Sequence, residues 1–564
     1  MGPTVFNTDE GGPVALAGSI PVRLRYQPVC NAGPFIRRSE GARYDPATMT
    51  APHRPEDRSA DSEPVATPTS VDLDLPLPAL EPLENPGAGQ ATKRTARNAA
   101  VSAAADVAGK VATLAYTVIA VRELSTADYG AFAFAISLAL LAGALPTWGF
   151  DTVVVQQGSK DRAALPRLLA ESLAWKGAIS LPLFGLIALF SAGTRDGHAR
   201  TALLMVLVAT LLDLVDASSR NATAALQRLA GVSAALVVQR LLTAGLAIAA
   251  LLTGRGLVGL AAAYLFGSAF GTATVVVARR RLGVRADFKS VTRTGLRALL
   301  RASTSAGLLG LVAMALFRID AVLLAFIRGD AEVAAYTAAY RLVETVLFIA
   351  WAAGRALFPV MAAAGDAREV RQAVDQGVAA VGAVYVPFGV VALFEGPAVL
   401  AFVYSPQYEV LSGPTLQWLA LAPLFFAIAY LAQFALLARH RDSTAVWAAT
   451  AAAAANVAIN LALIPVLGGP GAAIATTAAY VVETVAMLLL CRPAIGLPRP
   501  DRALVQAALA GAALAATLFG LRLHVVAEVV VGSVVYAAVW LALVRRSRAP
   551  HLALIRSLVP GLGR

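Results

Sequence analysis

Apolar residues run in long stretches between residues 98 and 545, and polar residues gather in the gaps between them. Each stretch, at about 1.5 Å per residue, is long enough as a helix to cross the roughly 30 Å hydrocarbon layer of a bilayer. Fourteen spans are predicted, near 98 to 121, 128 to 150, 169 to 192, 200 to 218, 232 to 253, 257 to 278, 303 to 327, 332 to 361, 377 to 394, 414 to 438, 443 to 464, 469 to 490, 503 to 521 and 524 to 544. The pattern predicts an all-α polytopic integral membrane protein, because a helix satisfies its own backbone where no water can.

Composition agrees, with 58% hydrophobic and 15% charged residues, far from the mix of a protein whose surface meets water. If the first span starts in the cytoplasm, about 28 Lys and Arg fall in cytoplasmic segments outside the N-terminal tail and about 6 in outer loops. That bias predicts a multi-pass protein of the cell's cytoplasmic (inner) membrane with both termini cytoplasmic. The densest basic run, Arg279, Arg280, Arg281, Arg285, Lys289, Arg293, Arg297 and Arg301, reads as an anchor beside anionic lipid headgroups. Membrane lipids are therefore expected partners and nucleic acid is not. Cys30 and Cys491 are the only cysteines, so no disulfide framework is expected.

Residues 1 to 92 carry twelve acids and seven arginines among many Pro, Gly and Ser, and read as a disordered cytoplasmic tail. Two accounts of it stand: a tether for a cytoplasmic partner, or sequence upstream of a later start such as Met49. An internal repeat follows. Gly256-x-x-Gly259 then Ala261, and Gly468-x-x-Gly471 then Ala473, open two spans 212 residues apart, and Arg280 and Arg492 close them at the same offset. Arg122 to Tyr129 precedes the second span much as Arg328 to Tyr336 precedes the eighth. The repeat predicts two pseudo-symmetric six-helix lobes, 93–302 and 303–493, with two added helices and a basic tail in 494–564. Parallel repeats of this kind place a substrate path between the lobes.

An ionisable side chain at mid-span costs about 2.5 to 3.5 kcal/mol on insertion scales, so each needs a partner or a wet cavity. Asp106 and Lys110 share one face of the first span. Arg318 and Asp320 are two apart and point away from each other, so their partners must come from other helices. Arg341 and Glu344 of the next span lie at matching depth, which predicts Arg318 with Glu344 and Asp320 with Arg341. Two uses remain open for this network, a helix-pinning ion cluster and a charged cavity wall. Asp213, Asp216, Lys176 and Arg240 form a second cluster nearer the cytoplasm, with a structural role or a proton or cation site as alternatives. Glu483 and Glu528 read as protonated or hydrogen-bonded between helices, and Asn456 with Asn460 as interhelical glue. Prolines 146, 182, 359, 387 and 423 interrupt spans and permit kinks.

The stretches "RELSTADYGAFAFAISLALL" at 122–141, "GFDTVVVQQ" at 149–157, "FRIDAVLLAFIRGDAEVAAYTAAYRLVE" at 317–344 and the turn Tyr404 to Tyr408 resemble the Wzx-like polysaccharide flippases of the multidrug, oligosaccharidyl-lipid and polysaccharide exporter superfamily. The resemblance covers about 93 to 545. Lipid II flippases are cousins, placed second because their arginine set has no residue-by-residue match here. The resemblance implies a multidrug-exporter-like fold with a central cavity and an undecaprenyl-diphosphate-linked oligosaccharide as cargo, flipped by alternating access for cell-surface polysaccharide synthesis. Other polysaccharide-assembly proteins would be partners. Substrate-facing residues would be Arg318, Asp320, Arg341 and Glu344 from the matching stretches, joined on position alone by Lys110. Ion coupling would use Asp106, Asp213, Asp216 and Arg240.

A drug or cation antiporter of the same fold would prefer acids in its cavity, and here Arg318, Arg341 and Lys110 are central. A membrane-embedded glycosyltransferase or polymerase needs acids on a sizeable outer loop, whereas the predicted outer loops are short. A scaffold for an assembly complex would also bury charges. No phosphate loop, zinc helix or Cys/His cluster occurs, and Asp72-x-Asp74 lies in the tail. The reading is a transporter rather than an enzyme, with no cofactor and no metal.

Overall fold

The computed structural model describes residues 109–226, 230–498, 502–521 and 523–546. The tail 1–92, Cys30 and Asp106 lie outside them. The described elements are helices, without a strand. In order they are α1 (109–123), α2 (Thr126–Thr147), α3 (Phe150–Lys160), α4 (Leu165–Thr194), α5 (Gly197–Ala225), α6 (Ala230–Leu252), α7 (Gly256–Arg281), α8 (Arg293–Arg328) and α9 (Asp330–Ala363). Then come α10 (Ala367–Phe394), α11 (Gly396–Val403), α12 (Gln407–Leu419), α13 (Ala422–Ala438), α14 (Asp442–Leu467), α15 (Gly469–Ile495), α16 (Arg502–Gly520) and α17 (Val525–Arg546).

Among the described residues, thirteen helical stretches are long and apolar enough to cross a membrane, α12 and α13 counting as one. The remaining expected span, 98 to 121, is described from residue 109, where α1 is helical. Polar caps set several of the starts. Ser125, Asp196, Thr292 and Asp366 accept the backbone N–H groups of Asp128, Ala199, Gly295 and Glu369, each filling one donor that a helix start leaves open. Two short helices, α3 and α11, were not expected. The chain enters α3 through Trp148 and Gly149, at φ 35° and 66°. A Cβ at Gly149 would stand 2.6 Å from that of Ala306, so only glycine lets this corner touch α8.

Burial sorts the spans by position. The apolar window of Gln407–Ala438 is 78% buried and that of α2 72%, against 17% for α17 and for Arg162–Thr194. The outer helices expose large apolar side chains such as Leu189, Trp447 and Phe519, as expected where the solvent is lipid. Helices α16 and α17 pack on α10 through Leu514, Leu518 and Tyr536, whose hydroxyl donates to the Ala383 carbonyl at 2.8 Å. An aromatic cluster of Phe317, Phe426, Tyr430 and Tyr480 ties α8, α13 and α15 together. The run of arginines from 279 to 301 marks one end of the bundle. The connections α1–α2, α4–α5, α8–α9 and α14–α15 mark the opposite, arginine-poor end.

Candidate functional site

Helices α1, α2, α5, α6 and α7 on one side and α8 and α9 on the other line a common cavity. Five cations line it: Lys110, Arg220, Arg240, Arg318 and Arg341. Three acids join them, Asp213, Asp216 and Glu344, so the lining carries a formal surplus of two positive charges. Apolar and aromatic side chains complete the wall, among them Leu140, Met314, Phe317 and Trp351.

Glu344 is the hub on the α8–α9 side. Its two oxygens accept from Arg318 Nη2 at 2.5 Å and Arg341 Nη1 at 2.6 Å. One carboxylate thus holds two guanidinium groups. Arg318 Nε is buried and has no hydrogen-bond partner among the described residues, so this cation keeps donor capacity in reserve. The predicted pair Arg318 with Glu344 is therefore made. On the facing wall Arg220 grips Asp216 through Nε at 2.5 Å and Nη2 at 3.1 Å, and also reaches Gln239 Oε1 and the Val232 carbonyl. Tyr264 Oη lies 3.5 Å from Asp213. Arg240 lies against α1, where a Cβ on Gly109 would stand 2.5 Å from its Cδ and 2.6 Å from its Nη1. Lys110 stands over the Trp351 ring, 5.4 Å from its centroid. Arg220 escaped the sequence reading because the fourth span was ended at 218. The signal was present in its i, i+4 spacing from Asp216.

Other expectations need correction. Asp320 does not line the cavity and does not pair with Arg341. It is 1% exposed and accepts from the Ala321 N–H at 2.8 Å, Thr476 Oγ1 at 3.0 Å and the Tyr336 hydroxyl. These bonds pin α8 to α9 and α15. Lys176 leaves the expected cluster too. Its ammonium meets both oxygens of Asp151 at 2.7 and 2.9 Å and Ser218 Oγ at 2.7 Å, on a buried seam between α3, α4 and α5. Asn460 Nδ2 donates to Asn456 Oδ1 at 3.1 Å along α14, so this bond is not interhelical. Glu528 accepts from the backbone N–H of Leu523 at 2.6 Å, and Glu483 is buried in α15. Among the described residues no group of three or more His, Cys, Asp or Glu is placed to hold a metal ion.

The arginine-poor end is sealed by contacts between the two sides. Arg195, after α4, pairs with Asp330 at the start of α9 and stacks on Phe134 at 4.1 Å. Arg122 Nε and Nη2, in the last turn of α1, donate to the Val403 and Phe402 carbonyls at the end of α11, at 2.7 to 3.0 Å. A Cβ on Gly130 would stand 1.8 Å from the Asp330 carbonyl oxygen, so α2 lies backbone to backbone with the α9 start. Glu395, in the α10–α11 corner at this end, has its carboxyl held above the usual carboxylate range by burial and by the Glu528 carboxylate beside it.

A helical membrane bundle with an ionic cavity between two helix groups defines a transporter class, and comparisons with known proteins narrow it. The family model described as lipid II flippase MurJ matches residues 231–543, and that described as polysaccharide biosynthesis protein matches 95–364. The first covers more than half of the 564 residues. The chain belongs to the lipid II flippase MurJ family, within the exporter superfamily that its sequence resembles, and the polysaccharide branch of that superfamily is matched over residues 95–364. Among solved structures, "Lipid II flippase MurJ, inward closed conformation" is similar at TM-score 0.69 and 14% identity over 80% of this chain and 100% of that one. An inward-facing multidrug resistance MATE family transporter is similar at TM-score 0.56 and 16% identity, over 69% and 94%. At such identities the likeness speaks for the fold. No curated protein sequence matches the chain.

Proposed function

We propose that this protein moves a polyprenyl-diphosphate-linked glycan from the cytoplasmic to the outer leaflet of the cytoplasmic membrane, by alternating access and without catalysis. The observation that carries the reading is the convergence of five cations and three acids on one cavity between two helix groups. A diphosphate stripped of water is costly to bury, and fixed guanidinium donors replace that hydration while matching phosphate geometry in pairs. The surplus of two positive charges suits such a headgroup. Arg318 and Arg341 present donors around Glu344, with Lys110, Arg220 and Arg240 on the facing side. Asp213 and Asp216 are the acids available for ion coupling with Arg240, and Asp106 is proposed beside them from its spacing.

The positive-inside bias supports an orientation with both termini and the arginine-rich end cytoplasmic, so the arginine-poor end faces outward and is the one closed here. Lobes 93–302 and 303–493 then rock about the cavity, breaking the Arg195–Asp330 and Arg122 contacts as the outer side opens. Residues 494–564 add α16 and α17 beside the second lobe. Enzymes that build and extend the glycan are its functional partners.

The test is transport by the full-length protein in vesicles, read as outer-leaflet appearance of a polyprenyl-diphosphate disaccharide. Arg318→Ala and Arg341→Ala should each lower the rate about 10- to 100-fold, the worth of one hydrogen bond to a charged group. Wild-type rates in both variants at equal protein level would overturn the reading.

A further inference from the structure

The two walls of the cavity differ in chemistry. Arg220, Gln239 and Arg240 make one wall polar, whereas the facing wall sets Phe317 and Trp351 beside the Arg318–Glu344–Arg341 group. Trp351 is held there by edge contacts with Phe317 (centroids 6.2 Å apart, planes at 64°) and Phe426 (6.3 Å, 89°). Its partly exposed ring lines the cavity, and the Lys110 ammonium stands over it. Trp351 also follows Glu344 by seven residues, hence shares its helix face about 10 Å further along. Glu344, with the two guanidinium groups it holds, and the indole are thus stacked along one wall.

We infer that Trp351 is a specificity-determining platform on which a sugar ring of the cargo stacks, with Lys110 passing from this ring to the diphosphate as cargo binds. The inference rests on the transport reading above. A cation over an indole is held by the ring's negative face, with a strength that a diphosphate in the same cavity exceeds, because two full charges attract more strongly than a charge and a quadrupole. Headgroup arrival therefore draws Lys110 away from the ring. The freed face is broad, apolar and fixed in orientation. A pyranose offers a matching surface, since the C–H groups on one side of its ring form an apolar patch while its hydroxyls point to the rim. Apolar contact with an aromatic plane and polar contact with the opposite wall then select a glycan over a bare diphosphate.

The experiment measures binding to full-length protein in nanodiscs of two probes, polyprenyl diphosphate and the same lipid bearing a disaccharide. Trp351→Leu should weaken the disaccharide-bearing lipid about five- to tenfold relative to the bare lipid, whose binding should not fall because Lys110 no longer has a ring to leave, and Trp351→Phe should recover most of the loss. Should Trp351→Leu not fold, the emission of Trp351, taken as wild type minus Trp351→Phe, serves instead: the disaccharide-bearing lipid should change it more than the bare lipid does. Equal loss for both probes, no loss for either, or an emission change that ignores the sugar would overturn the inference while leaving transport intact. Wild type that binds neither probe would bring down the transport reading and this one with it.

Discussion

Two buried ion clusters sit on opposite sides of α5 and use the same residue types to different ends. On the α3–α4 side, Lys176 is saturated by Asp151, Ser218 and the Leu214 carbonyl, and both charged side chains are under a tenth exposed. On the cavity side, Asp216 with Arg220 and Glu344 with Arg318 and Arg341 leave a positive surplus turned toward open space. Charge in a span therefore carries no function by itself. What separates a pin from a binding wall is whether the group borders a cavity, as Arg220 does although its guanidinium bonds Asp216, Gln239 and the Val232 carbonyl.

The widest separation should come from breaking the pin. Asp151→Ala strands the Lys176 ammonium in a dry seam and should cost about 3 to 5 kcal/mol, read as a large fall in thermal unfolding temperature of the detergent-purified protein. Asp151→Leu combined with Lys176→Met should recover most of it. If the single variant keeps wild-type stability, the seam is not dry and the contrast fails.

Gly109→Ala tests the other side with the opposite signature. The new methyl would meet Arg240 Cδ at 2.5 Å and Nη1 at 2.6 Å and displace that guanidinium, so vesicle transport should fall several-fold while stability falls less than in Asp151→Ala. A stability loss as large as that of Asp151→Ala would place Arg240 among the pins.

Contacts at the sealed end belong to neither class. The Arg195–Asp330 pair is 15% and 21% exposed, and partly solvated pairs contribute about 1 kcal/mol or less. Asp330→Asn should therefore raise labelling of a Thr113→Cys cavity thiol by an outer-side reagent about fivefold, provided opening is limited by this contact. Unchanged labelling would move the seal to Arg122 and the α2–α9 backbone contact.

The smallest effect concerns Glu395, an acid placed beside another acid. Its folded-state pKa is raised, so its contribution is fully present below the unfolded carboxyl value and is lost as pH rises through the raised value. Glu395→Gln should flatten that part of the stability profile against pH, and an unaltered profile would show the two carboxyls to be apart.

The spans were legible because lipid imposes one requirement on every residue they contain, an apolar side chain on a self-bonded backbone. Helices α3 and α11 were not, since eleven mixed residues or eight apolar ones are too few to show a period. Depth also transferred well: Arg318 and Glu344, on consecutive antiparallel helices, stand eleven residues before and fifteen after the connection at Gly329, near enough in height for two long side chains to meet. Asp320 and Arg341 satisfied the same test and failed it. Height says nothing of rotation, and Asp320 faces Thr476 and Tyr336. Asp216 and Arg220, only one turn apart, needed no tertiary information.

The amino-acid sequence by itself determined how many stretches suit lipid, where the chain turns, and that twelve charges near mid-span would require partners, as the cost of burying each one dictates. Only the tertiary structure decided which partner each charge received. That choice depends on the rotation of every helix about its axis, which is set by packing among α3, α5, α8 and α15 rather than by composition. It sent Lys176 to Asp151, Asp320 to Tyr336 and Thr476, and left the remaining cations facing a common hollow.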